Sequence, residues 1–171
     1  RTEINMRTMP LGLAFVAEAL KGRGHEVKML DLVRVEDIEA GIAGAVREFA
    51  PRAIGISIRN IDDQTMRGTH FLYQDDRQVI ALVRDLTDCP IVLGGAGYSM
   101  FPDAILADSR GDLGIEGEGE AAFPNLLDRL EKGESPEGLP GVHVKGKGPP
   151  RSRELIRETG SLPLPDPGLI L

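Results

Sequence analysis

Three short stretches carry residue types that binding or catalysis would use, and each falls where a β-strand should give way to a loop. Ser57-Ile58-Arg59-Asn60-Ile61-Asp62-Asp63 sets a hydroxyl, a guanidinium, an amide and two carboxylates behind a β-branched run. Gly94-Gly95-Ala96-Gly97-Tyr98-Ser99 opens with four small residues. Such residues let the backbone approach a ligand without interference from Cβ, and unpaired amides beside a helix start favour a phosphate or other polar group. Gly117-Glu118-Gly119-Glu120 places two carboxylates ahead of a helical pattern. Each stretch also has a plainer reading. The first is equally a strand end with a satisfied serine and an exposed arginine, and the second is a turn that many strand–loop–helix units share. The third suits acids that stabilise a helix N-terminus. It suits a metal site less well, because no His or Cys accompanies the pair, and nothing in the sequence marks it for acid–base work. No catalytic residue and no metal ligand is expected in this chain.

These turns need elements to hold them. Pro10 opens a helix with Leu13, Ala17 and Leu20 on one face, and Gly24 follows it as a left-handed closing residue. Residues 27–32 read as a strand. Ile38, Ile42, Val46 and Phe49 recur at helical spacing until Pro51 stops them. Residues 53–58 read as a buried parallel strand, and residues 59–74 as a long polar connection, which in a compact domain is either functional or disordered. Residues 75–86 are helical, with Val79, Val83 and Leu86 on one side. Residues 90–93 form a second buried strand, 102–107 a short helix, 113–115 a last short strand and 121–130 the closing helix. Residues 141–145 read as an edge strand. The alternation predicts an α/β fold: a doubly wound parallel sheet in a flavodoxin-like (Rossmann-like) three-layer sandwich, with an extended C-terminal tail. Ligands of such sheets bind beyond the carboxyl ends of the strands, where all three stretches fall. The helix at Pro10 should be fed by a central strand, yet residues 1–9 hold no apolar run, so that first strand is expected to lie outside this sequence. Residues 1–145 read as the domain and 146–171 as a Pro/Gly-rich linker.

Composition narrows the function. The 171 residues are 41% hydrophobic and 27% charged, as in an ordinary globular domain. Aromatics make up 4% with no Trp, so the core must come from Leu, Ile, Val and Ala. A net charge of −7 with scattered basic residues argues against nucleic acid or an anionic membrane as partner. The densest basic run, from Lys145 to Arg157, reads as a solvated connector. One cysteine, Cys89, excludes an internal disulfide and a multi-Cys metal site, and is expected to be structural. No stretch approaches the ~18 apolar residues of a membrane span, and no signal-peptide pattern is present, so a cytoplasmic location is expected.

Several pieces occur in a telling order: Pro10-Leu11-Gly12-Leu13-Ala14, Gly24-His25-Glu26-Val27, Ile54-Gly55-Ile56-Ser57, Gly94-Gly95 and Gly117-Glu118-Gly119-Glu120. Together they resemble the N-terminal cobalamin (B12)-binding domain of cobalamin-dependent radical-SAM enzymes, over roughly residues 10–166. Leu162-Pro163-Leu164-Pro165-Asp166 is similar to that family's linker into its radical-SAM barrel. The resemblance implies cobalamin on the carboxyl edge of a flavodoxin-like sheet. It places the dimethylbenzimidazole tail beside Gly94, Gly95, Ala96, Gly97, Tyr98 and Ser99, and the nucleotide or its phosphodiester along Gly117, Glu118, Gly119 and Glu120. Ser57, Arg59, Asn60 and Ile61 would approach the corrin. The implied parent is methyltransferase-like. Its S-adenosylmethionine and 4Fe-4S cluster would belong to a radical-SAM domain of the same parent chain.

Two motifs are missing. There is no Asp-x-His-x-x-Gly, by which methionine-synthase-like domains give a histidine to cobalt. His25 is expected on the surface at the edge away from the crevice, His70 in the long loop and His143 in the tail, so the Arg59-Asn60-Ile61 loop would cover the lower face of the corrin instead. There is no Cys-x-x-x-Cys-x-x-Cys either, so this stretch cannot hold the cluster and is not expected to catalyse alone. Alternatives remain. A flavin- or nucleotide-binding domain would use the Gly94 turn for phosphate, although neither G-x-G-x-x-G nor a P-loop is present. A receiver-type domain would need an acceptor Asp where Ser57 stands. A non-catalytic interaction module would use its glycines only for turns.

Overall fold

Short β-branched runs build the sheet, and amphipathic stretches cover it. The computed structural model describes residues 9–150, 152, 153, 155, 156, 158, 160 and 162–166. Among these, β1 (Ile54–Ser57), β2 (Ile91–Gly94), β3 (Leu113–Ile115) and β4 (Val142–Val144) form one sheet in that order. The first three are parallel, with Ser57 opposite Gly94 and Val92 opposite Leu113; β4 is antiparallel, with His143 opposite Gly114.

Side chains leave a strand to alternate faces, and here that alternation sorts the core in two. Ile54, Ile56, Ile58, Ile91 and Leu93 face α2 (Ile38–Phe49), α3 (Tyr73–Leu86) and α5 (Pro102–Asp108), meeting Ile42, Ile80, Val83, Ile105 and Leu106. Val92, Leu113, Ile115 and Val142 face α6 (Gly119–Glu131), meeting Ala122, Phe123 and Leu126. α1 (Leu11–Gly22) packs along α6. Helices therefore lie on both faces of a mostly parallel sheet, the flavodoxin-like arrangement. Ile80, Ile91, Leu93 and Leu126 are fully buried, and truncating any of them to Ala should cost about 2–5 kcal/mol.

Local signals set most boundaries. Asp37 caps α2, its Oδ1 accepting from the Ala40 amide at 3.0 Å. Gly24 adopts φ 88°, and its amide donates to the Lys21 carbonyl at 2.9 Å. Pro10 stands at the N-cap of α1, one place before the helix, and the buried face is Ala14, Ala17 and Leu20, with Leu13 half-buried. On α3, Ile80 and Val83 are buried while Leu86 is exposed.

Four expectations need correction. Residues 27–31 carry no regular secondary structure, Leu32 lies in a turn, and none of them pairs with a strand among the described residues. They lie in place nonetheless. Leu30 and Leu32 pack on the first core cluster, and Glu131 reaches both His25 (3.8 Å) and Arg52 (2.6 Å), the residues that precede this segment and β1. A strand exists only with a hydrogen-bonded neighbour, and no described residue supplies one. The expected central first strand concerns residues ahead of Pro10, of which 1–8 lie outside the described residues. β1 is half open rather than buried, with Gly55 and Ser57 exposed. Residues 96–100, expected as loop, form a single-turn helix, α4 (Ala96–Met100), and α6 starts at Gly119. The tail is not simply a solvated connector: Lys145 Nζ donates to the Ser109 carbonyl, and Arg153 Nη1 meets Glu116 at 3.1 Å.

Candidate functional site

β1, β2 and β3 end side by side, so their three following turns share one rim. The first two turns interlock. The Ile58 amide donates to the Gly94 carbonyl at 2.8 Å, and the amides of Gly97 and Tyr98 donate to the Ile58 carbonyl at 2.9 and 3.4 Å. Those two amides are therefore occupied, not free for a phosphate. Gly95 and Gly97 are glycines because Ile58 comes close: a Cβ would stand 2.5 Å from its carbonyl oxygen at Gly95 and 3.0 Å at Gly97. Gly94 differs, since the nearest atom to a Cβ there is 3.9 Å away. Ser99 joins the second turn to the third: its Oγ donates to the Gly95 carbonyl and accepts from the Gly117 amide, both at 2.9 Å. Ser57, Gly94, Gly95, Ala96, Ser99 and Gly117 thus form one ledge, with exposed Arg59 and Asn60 and half-buried Ile61 beside it.

Other expected site residues stand elsewhere. Tyr98 turns into the core, its hydroxyl buried against Gly114 without a hydrogen-bond partner and its ring edge-on to His143 at 6.2 Å. Burial pushes that phenol well above its ordinary range, and the nearby Asp103 and Glu116 charges add to the effect. Gly119 and Glu120 belong to the first turn of α6, with Gly119 packed on Val16 of α1. Glu118 accepts a hydrogen bond from the backbone amide of Ile156.

His143 is not a tail residue. It lies in β4 with its side chain 3% exposed, Nδ1 2.9 Å from Asp103 and Nε2 3.0 Å from Glu116. The Val142-His143-Val144 alternation was the available signal: flanking valines on one sheet face put the imidazole on the other. His25 does lie at the amino edge, as expected, but its ring is only 12% exposed, beside Asp128 and Glu131.

The connection between β1 and α3 organises itself around Asp63. Its carboxylate accepts from the Thr65 amide (3.1 Å), the Thr65 hydroxyl (2.8 Å) and the His70 amide (3.2 Å). The Thr65 amide and then its hydroxyl hold that carboxyl below the usual range. Further along, burial and then the charge of Asp75 push the Asp76 carboxyl up to about 6. Burial first, and then a hydrogen bond to Asp108 at 3.1 Å, push Tyr73 up to about 12.

Exposed apolar side chains gather on the same rim. Met66 and Phe71 lie on the loop after β1, and Met100 ends α4 with Phe101 next to it. Met9 and Leu11 lie at the start of α1, and Val33 and Ile38 at the approach to α2. Among the eleven large exposed apolar side chains of the described residues, Leu86 alone lies at the opposite edge, while Leu155 and Leu164 belong to the tail. Water leaves single exposed apolar residues alone, but a clustered set marks a surface that something covers. Two concavities lie on the flanks: one of about 380 Å³ between α3 and α5, lined by Gln74, Arg77, Asp108 and Arg110, and one of about 280 Å³ beside β4.

Comparison with known proteins gives the arrangement a context. Residues 1–127 match the family described as B12 binding domain. An uncharacterized methyltransferase of Pyrococcus horikoshii is 28% identical over 166 residues, covering 94% of this chain and 34% of that protein. The hopanoid C-3 methylase of Methylococcus capsulatus is 30% identical over 156 residues, covering 87% and 28%. A solved structure of the radical S-adenosylmethionine methyltransferase TsrM from Kitasatospora setae, with cobalamin and a 4Fe-4S cluster bound, superposes with a TM-score of 0.78 at 29% identity. That match covers 85% of this chain and 28% of that one. The chain thus spans between a quarter and a third of the length of these relatives.

Proposed function

The chain belongs to the B12-binding domain family, and on that footing we propose that it seats cobalamin on the carboxyl rim of its sheet. In this reading it is the cofactor module of a radical-SAM methyltransferase. The observation that carries the reading is the coincidence on one rim of a small-residue ledge and an apolar surround.

The residues present fit a corrinoid. Gly94 leaves its α6-facing side open, with Ser57 and Gly117 beside it, which suits the flat dimethylbenzimidazole end of the ligand. Of the third turn, Gly117 is left exposed on the rim and would run along the nucleotide, whereas Glu118 is engaged with Ile156 and Gly119 and Glu120 belong to α6. Arg59, Asn60 and Ile61 would lie under the ring, with Met66, Phe71, Met100 and Phe101 shielding its edge from water. Cobalamin, when bound, supplies a cobalt centre able to carry a one-carbon group. The chain's own part is to bind, orient and exclude water. His25 lies at the far edge and His143 between two carboxylates, so neither is offered to cobalt. S-adenosylmethionine and a 4Fe-4S cluster would be held by a radical-SAM domain of the parent protein. Residues 1–145 would serve as the module and 146–171 as the connection toward that domain. The lone thiol at Cys89 and the absence, among the described residues, of a helix long and apolar enough to cross a membrane fit a cytoplasmic setting.

The test is direct. Purified protein is mixed with hydroxocobalamin, desalted, and its visible spectrum recorded. About one equivalent of retained corrin is expected. Retained flavin absorbance from the purified protein, or no retained chromophore, would overturn the reading.

A further inference from the structure

Glu116 and Glu118 flank Gly117 in the third turn, yet both carboxylates are already engaged. Glu116 holds Arg153 through Oε1 at 3.1 Å and faces His143 Nε2 through Oε2 at 3.0 Å. Glu118 accepts the backbone amide of Ile156. A third tie lies alongside: the Gly141 amide donates to the Ser152 carbonyl at 2.7 Å, while the Glu116 amide donates to the Gly141 carbonyl at 2.8 Å. Ser152, Arg153 and Ile156 are therefore fastened, one tie each, to the β3–α6 turn and the start of β4. Arg153 Cδ passes over Gly117, 3.9 Å from where a Cβ would stand.

The anchors themselves are held. Glu116 is only 20% exposed, and the His143 it faces is buried and stands 2.9 Å from Asp103 on its other side. Arg153 is 56% exposed, so its ion pair alone would contribute little. The bond between a backbone amide and the half-buried Glu118 carboxylate is of the stronger, charge-assisted kind. It fixes main chain rather than a long side chain, which is what makes the segment a strap.

We propose that Glu116 and Glu118 are positioning residues, holding Ser152, Arg153 and Ile156 as a strap that closes one end of the cobalamin seat and sets the direction in which the chain leaves the rim. The proposal rests on the reading that cobalamin occupies that rim. A ligand bearing on the third turn and a strap bearing on the same turn are coupled, so each tightens the other by the same factor.

Trypsin reads the strap, because cleavage after Arg153 requires the strap to lift. The 171-residue chain, its Glu118→Ala variant and its Glu116→Gln variant are digested with and without hydroxocobalamin. The fragment ending at Arg153 is timed by mass spectrometry. Circular dichroism melting is run beside it, and Glu118→Ala serves if Glu116→Gln disturbs the core. Cleavage at Arg153 is expected to be about tenfold faster in the variants, the ratio that one charge-assisted hydrogen bond represents. In the parent chain hydroxocobalamin is expected to slow it. Equal rates in all three proteins would overturn the strap. Retained corrin with no change in cleavage would overturn the coupling. Cleavage that depends on Glu118 in a protein that retains no corrin would sink the cobalamin half and leave the strap standing.

Discussion

Two adjacent glycines should behave in opposite ways when replaced. Gly95 sits at φ 95° and ψ 171°, a region that only glycine occupies readily, and forcing a side chain there costs about 1–3 kcal/mol. The added Cβ would also stand 2.5 Å from the Ile58 carbonyl oxygen. Ile58 cannot yield cheaply, because its side chain is fully buried and its carbonyl accepts from two amides. Overpacking of that sort costs about another 1–3 kcal/mol. Gly95→Ala should therefore lose about 2–6 kcal/mol of a total near 5–15. In a chain of this size that lowers the melting temperature by roughly 4–24 °C. Gly94→Val adds atoms where the nearest neighbour of a Cβ lies 3.9 Å away, with no positive φ to strain. Its melting temperature should stay within about 2 °C of the parent, while corrin retention after desalting falls at least tenfold, about 1.4 kcal/mol of binding. The assay is circular dichroism melting with the visible spectrum of desalted mixtures. A Gly95→Ala protein melting within two degrees of the parent would refute the interlock. A Gly94→Val protein that keeps its corrin would refute the assignment of Gly94 to the seat.

Three further outcomes are expected. Tyr98→Phe removes a buried hydroxyl that has no partner, so it should raise the melting temperature, by up to about 1 kcal/mol in stability; a fall would reveal a partner for the hydroxyl. Asp76 has a folded pKa of about 6, above the ordinary aspartate value of 3.8. The folded state then binds more protons between those values, and stability declines as pH rises through that window. Asp76→Asn should flatten the decline and raise stability at pH 7.5 by about 1–2 kcal/mol, discounted for partial exposure, with no gain at pH 4; equal gains at both pH values would contradict the assignment. Finally, EPR of the Co(II) protein should show no nitrogen superhyperfine splitting from a protein ligand, and His70→Ala, on the exposed rim loop, should leave the spectrum as it was. Splitting that vanishes in that variant would show that His70 binds cobalt.

What the sequence made legible follows the range of the forces involved. Helices with strong local signals were readable: the Pro51 stop and the Gly24 turn each act within a few residues, and α2 has the bounds its periodicity implied. The three turns were readable as strand ends. Why their glycines are needed was not, because Ile58 is 37 residues from Gly95 in sequence and only the folded sheet brings its carbonyl there. Residues 27–32 had the pattern of a strand, but pairing depends on a neighbour, which pattern cannot supply. The same holds for His143. Its burial was implicit in the alternation of β4, whereas Asp103 and Glu116 arrive from 40 and 27 residues away.

The acids of the third turn show how far a local rule can mislead. Two glutamates ahead of a helix suit the positive end of its dipole, and at first sight that accounts for Glu118 and Glu120. In the folded chain only Glu120 lies in the first turn of α6. Glu118 is the N-cap residue, its side chain making no bond to the helix and accepting from Ile156 instead. Glu116, which the motif left out, carries the larger share of contacts, to His143 on one side and Arg153 on the other. The turn therefore has two jobs that pull on the same atoms. Its glycines keep the rim low beside the Ser99 hydroxyl, and its acids fasten the departing chain across it. On the proposed reading, a ligand bearing on this turn would bear on Arg153 and Ile156 as well.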